Sequence, residues 1–121
     1  MVKDSPLRNK SMDFAVRIVA LSRTLREERK EFSLADQLLR AGTSIGANLA
    51  EAAYATSLKD FLNKCKISLK ECAETQFWLA LLAKCGFFTE DRLAPLKEDC
   101  EELRKMLSAT CKTTEERLTQ Q

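Results

Sequence analysis

Apolar side chains recur along the chain with the period of an α-helix. The first set is spaced four, three and four residues apart and comprises Phe14, Ile18, Leu21 and Leu25. This spacing forms one stripe on a 3.6-residue helix and predicts a first helix over about residues 12–29. Either Ser11 or Asp13 is a suitable N-cap for it. The preceding residues 1–10 are polar, and we expect them to lie outside the helix.

The next two helices are predicted from their start signals. Ser33 is a suitable N-cap for a second helix over about residues 34–55. Ser57 is followed three residues later by Asp60, which resembles a capping box with Asp in place of the usual Glu or Gln. This signal predicts a third helix over about residues 58–85.

The fourth helix is marked at its start and by its apolar stripe. Gly86 suits the end of the third helix, and Thr89 suits the N-cap of the fourth. Pro95 lies within the first turns, where a helix tolerates proline best. Residues at three- and four-residue spacing predict a helix over about residues 90–109, with the stripe Leu93, Leu96, Cys100, Leu103 and Leu107.

Four amphipathic helices joined by short connections predict an all-α fold, an up-down-up-down four-helix bundle. The composition supports this prediction, because the chain has only 3 Gly and 2 Pro among 121 residues, fewer than turn-rich β folds need. No repeat or linker divides the chain. We therefore expect one domain over residues 1–121, with polar termini.

The second helix contains an unusual strip of small residues. Its predicted core sector comprises Leu34, Leu38, Ala41, Ile45, Leu49 and Ala52, and the adjacent small strip comprises Ala35, Gly42, Gly46, Ala50 and Ala53. Glycine inside a helix costs up to about 1 kcal/mol relative to alanine. Gly42 and Gly46 therefore predict close approach of another backbone, from this chain or from another subunit. A phosphate-binding loop is disfavoured, because no strand precedes the glycines and no Lys-Ser/Thr follows them.

A polar strip on the second helix faces a possible complement on the third. The residues are Arg40, Ser44, Asn48 and Glu51 on one helix and Lys70, Glu71 and Glu74 on the other. A carboxylate metal centre is one interpretation, but di-iron bundles use Glu-x-x-His motifs and this chain has no His. We favour a network of hydrogen bonds and ion pairs that fixes helix register, buried in the bundle or at an interface.

Two segments of the chain resemble a known family. The segments LADQLLRAGTSIGANLAEA and DFLNKCKISLKECAETQFWLALL are similar to the hallmark blocks of the 23S rRNA-intervening sequence proteins, or four-helix-bundle protein family. The likeness covers about residues 11–108. It implies a left-handed bundle that assembles into a ring-like homo-oligomer, expected to be a pentamer. A related bundle is the accessory subunit of diversity-generating reverse transcriptases, where it contacts the polymerase and RNA. The resemblance implies no enzymatic activity and no catalytic residues.

Charge and cysteine content reduce the number of candidate functions and bear on the cellular location. The chain has 20 Lys and Arg against 18 Asp and Glu, so its net charge of +2 does not by itself indicate a nucleic-acid binder. The five cysteines sit at core spacing without a CxxC pair, and no His is available to activate a thiolate. Cys85 and Cys111, near predicted helix ends, are the expected reactive thiols. With no signal peptide and no membrane-spanning run, we expect a cytoplasmic protein.

A basic strip on the third helix is the candidate nucleic-acid site. Five residues lie within about 40° of one another on the helical wheel, namely Lys59, Lys66, Lys70, Phe77 and Lys84. A line of cations with one aromatic residue suits a phosphate backbone with one stacked base. The alternative is a solvated face on which a neighbouring subunit covers Phe77. A second basic cluster, on the first helix, comprises Arg23, Arg26 and Lys30.

Adjacent aromatic residues indicate self-association. Phe77 and Trp78 are neighbours in sequence and cannot both face one core. We expect one of them to lie at an interface between subunits, together with the glycine strip and with Arg40, Asn48 and Glu51 as helix-packing or interface residues.

The sequence therefore predicts a non-enzymatic, oligomeric binding module that acts on RNA or a ribonucleoprotein through basic faces. The alternative is a protein-protein scaffold or accessory subunit, for example of a reverse transcriptase, that does not bind nucleic acid itself. No cofactor, metal, membrane or small-molecule substrate is expected.

Overall fold

The computed structural model describes residues 5–120 and is all-α, as predicted. The four helices are α1 (Pro6–Arg29), α2 (Phe32–Ala52), α3 (Leu58–Lys84) and α4 (Glu90–Thr119). The connections between them are two to five residues long. Short connections favour antiparallel neighbours, because the chain has no room to return to the opposite end of the bundle.

The helices form the predicted four-helix bundle. Each helix packs against the next one in the chain, and α1 also packs against α4, which closes the bundle. The diagonal pairs, α1 with α3 and α2 with α4, do not pack against each other within residues 5–120. Contacts across α2 and α3 run in opposite directions, since Glu51 reaches Lys64 and Arg40 reaches Glu71. The left-handed twist stays a prediction.

The predicted apolar stripes form the core. Phe14, Ile18 and Leu25 of α1 are at most 1% exposed, and Leu103 and Leu107 of α4 are fully buried. Burying a side chain of this kind contributes roughly 1.5–3 kcal/mol. Four of the five cysteines also lie in the core, namely Cys65, Cys72, Cys100 and Cys111. They act there as small apolar residues.

The closing seam between α1 and α4 is lined with ion pairs. Arg17 and Lys10 of α1 both contact the carboxylate of Asp99, the latter at 3.4 Å. Lys10 also lies 3.4 Å from Glu102. This seam is the least extensive of the four helix-helix contacts. Partly exposed ion pairs contribute up to about 1 kcal/mol each, so they add little to this smallest helix-helix contact, and the seam is held less firmly than the other three interfaces.

The first helix begins earlier than predicted. Its N-cap is Ser5, whose hydroxyl accepts a hydrogen bond from the Arg8 backbone N–H at 3.1 Å, and Pro6 occupies the first helical position. The prediction of Ser11 or Asp13 as the cap was therefore wrong. Ser11 is buried and donates to the Arg8 carbonyl at 2.8 Å. Residues 5–10 are not loose as expected; residues 1–4 lie outside the described part of the chain.

The second helix also starts differently. It begins at Phe32 and has no side-chain cap, so the prediction that Ser33 is its N-cap was wrong. The chain turns at Lys30, whose φ of 57° is left-handed, and the Lys30 N–H donates to the Leu25 carbonyl. The tight turn brings Phe32 under the Arg26 guanidinium at 5.3 Å, which holds the start of α2 by a cation–π contact instead of a cap.

The last two helices begin as predicted, but the fourth ends later. The hydroxyl of Ser57 accepts from the Asp60 N–H at 3.0 Å, and that of Thr89 accepts from the Arg92 N–H at 3.1 Å. Gly86, with φ of 77°, ends α3 in the left-handed conformation that favours glycine. The prediction placed the end of α4 at about residue 109 and left open whether the polar tail extends the helix; the helix runs to Thr119.

The neighbour of the glycine strip is α1 of the same chain. A Cβ built on Gly42 would lie 2.7 and 2.8 Å from two side-chain carbons of Ile18. A Cβ on Gly46 would lie 3.2 Å from the Ser11 hydroxyl and 3.5 Å from its carbonyl oxygen. The glycines therefore allow α1 and α2 to approach closely, which answers the question that the sequence left open between the same chain and another subunit.

We predict that Gly42→Ala destabilises the fold by about 1 kcal/mol, because overpacking against buried Ile18 outweighs the gain in helix propensity. Gly46→Ala is the matched control. Its nearest neighbour is a rotatable hydroxyl, so we expect unchanged or slightly higher stability. Urea unfolding followed by circular dichroism measures both. A Gly42→Ala variant as stable as the Gly46→Ala variant contradicts the assigned close approach.

Candidate interaction surfaces

The basic strip of α3 is exposed along its length. Lys59, Lys66, Lys70, Phe77 and Lys84 are all exposed. Lys66 lies 3.3 Å from Glu115 of α4. The other three lysines make no ion pair within residues 5–120. The strip therefore presents cations to solvent, and only one of them is partly neutralised.

The two adjacent aromatic residues of α3 point in different directions. Phe77 is 58% exposed, whereas Trp78 is half-buried and packs against the core. Their rings meet edge to face, with centroids 5.1 Å apart. The Trp78 Nε1–H donates to Glu74 at 2.9 Å. Phe77 is consequently a large exposed apolar side chain whose ring rests against Trp78, which is itself held by its hydrogen bond to Glu74.

The polar strip of α2 makes a network with α3, but at the surface. Arg40 pairs with Glu71 at 3.1 Å and also contacts Glu74. Glu51 pairs with Lys64 at 2.7 Å, a residue outside the complement predicted on α3. The Asn48 side chain donates to the Ser44 carbonyl, within α2. Exposed ion pairs of this kind contribute up to about 1 kcal/mol each and fix register more than they stabilise.

The network does not provide a metal site. Within residues 5–120, no three carboxylate or thiol side chains converge closely enough to hold a metal ion. Arg40 stands between Glu71 and Glu74 and already occupies both carboxylates. The arrangement therefore matches the structural interpretation of this polar strip.

The three cations of the predicted second basic cluster have different surroundings. Arg26 pairs with Asp36 and lies over the ring of Phe32. Lys30 lies in the turn after α1, beyond the helix end. Neither Lys30 nor Arg23 makes an ion pair in the described part of the chain, and Arg23 lines a groove between α1 and α2. Two of the three therefore have a full charge available to a partner.

An apolar surface that the sequence analysis missed lies on α1 and α2. We call it the α1/α2 outer face and define it by its exposed large apolar side chains: Met12, Val16, Val19, Phe32 and Leu39. The signal was present in the sequence, because the three α1 residues repeat at four- and three-residue spacing opposite the core stripe. Two helical stripes on one helix indicate two packing partners.

The thiols of the core are protected from reaction. Burial raises the pKa of Cys65 to about 11, and burial also raises the pKa of Cys111. A hydrogen bond with Cys100, together with burial, raises the pKa of Cys72 above its usual range. Because the thiolate is the reactive form, these thiols are poor nucleophiles. The expectation that Cys111 is reactive was therefore wrong, whereas Cys85 is exposed.

Comparison with known proteins identifies the family. The family model described as 23S rRNA-intervening sequence protein matches residues 3–109. The chain belongs to this family. The resemblance noted in the two helical segments is thereby confirmed, over nearly the whole domain.

A solved structure supports the same assignment. The crystal structure of a protein of unknown function from the S23 ribosomal protein family of Bacteroides thetaiotaomicron is 45% identical to this chain. The similarity covers 88% of this chain and 98% of that chain, with a TM-score of 0.86. Comparison with curated proteins gives no match. In the described part of this family member, no helix is both long and apolar enough to cross a bilayer.

An additional charged cluster links α3 to α4, and the pKa of its carboxyl group, on Glu101, is shifted. Glu101 accepts two hydrogen bonds from Arg104, each 2.7 Å long, and one from Gln76 of α3 at 2.9 Å. First the Arg104 guanidinium, then the Gln76 amide, lower the pKa of Glu101 from 4.5 to about 2. The stabilisation from the charged form is therefore present above pH 4.5 and is lost as the pH falls toward 2.

We predict that Arg104→Ala raises the pKa of Glu101 toward 4.5 and shifts the loss of this contribution to higher pH. Carbon-13 NMR titration of the Glu101 carboxyl measures the pKa directly. Lys105→Ala is the control, because Lys105 is the weakest of the groups that lower this pKa and makes no hydrogen bond to the carboxylate. Equal shifts in the two variants would rule out the bidentate contact as the main cause.

Proposed function

We propose that this protein is a non-enzymatic, oligomeric binding module that binds RNA, or an RNA-containing partner, through the basic strip of α3. The observation that carries the proposal is the exposure of four lysines along one side of one helix, three of them without an ion pair in the described chain. The family description names 23S rRNA, which makes RNA the polyanion to test first.

The strip suits a phosphate backbone. From Lys59 to Lys84 it extends over 25 helical steps, or about 37 Å. Lysines are point charges on flexible stems, so they attract phosphates without reading bases. Binding of this type is independent of sequence and falls steeply as salt rises, because counterions are released from the nucleic acid. We therefore expect shape and charge, rather than base identity, to determine which RNA is bound.

Assembly would multiply a weak site. A single strip of four lysines offers few phosphate contacts, but a ring of identical chains repeats it around an axis and raises avidity without a new contact. We propose a ring-like homo-oligomer, with the pentamer implied by the family resemblance as the expected form. Phe77, exposed beside the strip, is available either to a stacked base or to a neighbouring chain.

The second candidate function is a protein scaffold or an accessory subunit without direct RNA contact. The α1/α2 outer face favours it, because five exposed large apolar side chains on two adjacent helices are typical of a protein-protein interface. Salt separates the two candidates, since apolar docking does not weaken as phosphate binding does.

We also propose a cytoplasmic location and no cofactor. Five cysteines are free, and reduced thiols suit a reducing compartment. The charged side chains of the networks described above pair with one another. We therefore assign none of them as a general acid or base.

We predict that the double variant Lys59→Glu with Lys70→Glu binds RNA at least about tenfold more weakly at low salt. Its association constant should also depend less on salt: the negative slope of log K against log salt should become smaller in magnitude by about 2. Fluorescence anisotropy with labelled RNA at several salt concentrations measures both quantities. The matched control is Lys105→Glu with Lys112→Glu, which makes the same charge change on α4. Equal losses in the two double variants would assign binding to net charge instead of to the α3 strip.

We predict that the purified protein has the mass of a closed oligomer. Five chains of 13.7 kDa give about 69 kDa. Size-exclusion chromatography with light scattering measures this mass, and absorbance at two wavelengths reveals bound nucleic acid. A 13.7-kDa particle would contradict the assembly.

A further inference from the structure

Phe77 stands midway between two lysines of the basic strip. Lys70 precedes it by seven residues, and Lys84 follows it by seven. Seven residues fall about 20° short of two full helical turns, so the three side chains lie nearly in one line, about 10 Å apart along the axis. All three are exposed, and neither lysine makes an ion pair in the part of the chain that the structure describes. The ring therefore has available positive charge on both sides.

Small side chains leave the Phe77 ring uncovered. On a helix the surface neighbours of a residue are those three and four positions away. For Phe77 these include Ala73 and Ala80, whose methyl groups are too small to cover an aromatic ring. Another of them, Glu74, accepts a hydrogen bond from Trp78. The Phe77 side chain is accordingly 58% exposed.

At least one face of the Phe77 ring is open. The rings of Phe77 and Trp78 meet at 74°, with centroids 5.1 Å apart. In an edge-to-face pair one ring contributes an edge and the other contributes one face, so a face of Phe77 stays unused in either case. Trp78 packs against the core, and its Nε1–H donates to Glu74 at 2.9 Å. Phe77 is thus a flat apolar surface with a fixed support, on which a planar group can stack.

A nucleotide matches this arrangement better than a neighbouring protein chain does. Each base within a strand is joined through its sugar to one phosphate on either side, and Phe77 has one exposed lysine on either side. A protein surface seated on the ring would also cover Lys70 and Lys84 and remove water from their charges, which is costly unless each meets an acid. The flanking lysines therefore favour a nucleic acid strand as the cover for Phe77.

A base that stacks on Phe77 has to be unpaired. Within an A-form duplex the faces of each base are covered by the bases above and below it, and proteins contact mainly phosphates and 2′-hydroxyls. Bases in single strands and loops have free faces that stack on aromatic side chains. Lysines attract the phosphates of both forms, so the ring is the group that distinguishes them.

The strip offers a place for a further unpaired base near the start of α3. A surface depression of about 420 Å³ lies there, and Lys59, Asn63 and Lys66 are among the residues that line it. The Asn63 side-chain amide can both donate and accept hydrogen bonds, as the edges of bases do. A strand that leaves Phe77 toward the start of α3 would pass Lys70 and then reach this depression.

We propose that the basic strip of α3 selects single-stranded RNA, with one unpaired base stacked on Phe77 and the phosphates on either side of that base held by Lys70 and Lys84. The inference rests on the RNA binding proposed above and names the form of RNA that the strip takes. Stacking of this kind is tolerant of sequence, because every base has a flat face. Selection is therefore for strandedness and not for base identity.

Two RNA probes and three single variants test the stacked base. The probes are a labelled single-stranded oligouridylate of about 12 nucleotides and a labelled RNA duplex of the same length. Phe77→Leu keeps apolar bulk but removes the flat ring, and Phe77→Tyr keeps the ring. Ile67→Ala is the matched control, because Ile67 is also an exposed apolar residue of α3 but is not part of the strip. Circular dichroism checks that each variant folds.

Fluorescence anisotropy gives the expected pattern. Phe77→Leu should bind the oligouridylate about tenfold more weakly than the wild type, as for the loss of one stacked base, and should bind the duplex equally well. Phe77→Tyr and Ile67→Ala should bind both probes like the wild type. Ultraviolet crosslinking followed by mass spectrometry should attach uridine to Phe77 with the single strand and not with the duplex.

Other outcomes overturn the proposal. If Phe77→Leu binds both probes like the wild type while the Lys59 and Lys70 double variant loses both, the RNA site stands without a stacked base. Equal losses of both probes in Phe77→Leu, or an equal loss in Ile67→Ala, would show that the ring does not select single strands. A changed particle mass of Phe77→Leu in light scattering would place Phe77 between subunits. If the lysine variant also binds like the wild type, the proposed RNA site itself is wrong.

Discussion

The close approach of α1 and α2 at Gly42 determines the shape of this bundle. With no side chain at Gly42, Ile18 packs directly on the α2 backbone, and both core stripes reach the centre. A groove lined by Val19, Ser22 and Leu39 lies between the two helices. The spacing of the outer faces of α1 and α2 therefore depends on a contact made on their inner side.

The sides of the bundle differ in what they present to solvent. The α1 and α2 side carries large exposed apolar side chains among its charges, and the outer side of α3 carries lysines. The corner between α2 and α3 is closed by Arg40 and its carboxylate partners, which also position Trp78 through Glu74. Trp78 in turn supports Phe77. A surface network that contributes little to stability therefore fixes the orientation of the side chain that we expect to anchor a partner.

The sequence was sufficient to predict the helices, their core stripes and two of their caps. It was misleading where local signals were equivalent. Ser5, Ser11 and Asp13 are all good N-cap residues, and the helix starts at Ser5, with Pro6 at the first helical position and Leu7 buried. Ser33 was predicted as a cap because serine is a favoured N-cap residue. No local rule reveals that the contact of Arg26 with the Phe32 ring holds the start of α2 instead.

The candidate surfaces were harder to predict than the fold. Exposure of the α3 lysines followed from the helical wheel. By contrast, Arg26 of α1 forms an ion pair with Asp36, which depends on the position of the neighbouring helix α2. The apolar stripe of Met12, Val16 and Val19 was overlooked because the core stripe already explained α1. Gly42 and Gly46 were correctly associated with close packing, yet no sequence pattern distinguishes a helix of the same chain from one of another subunit.

The ion-paired seam between α1 and α4 has a consequence for the dynamics of the bundle. The other three interfaces join helices that follow one another in the chain and are more extensive, so the molecule resembles a layer of helices rolled up and joined along one edge. Local opening costs least where few apolar contacts must separate. We therefore expect the bundle to open first along this edge, so that amide hydrogens on the facing sides of α1 and α4 exchange before those on the facing sides of α2 and α3.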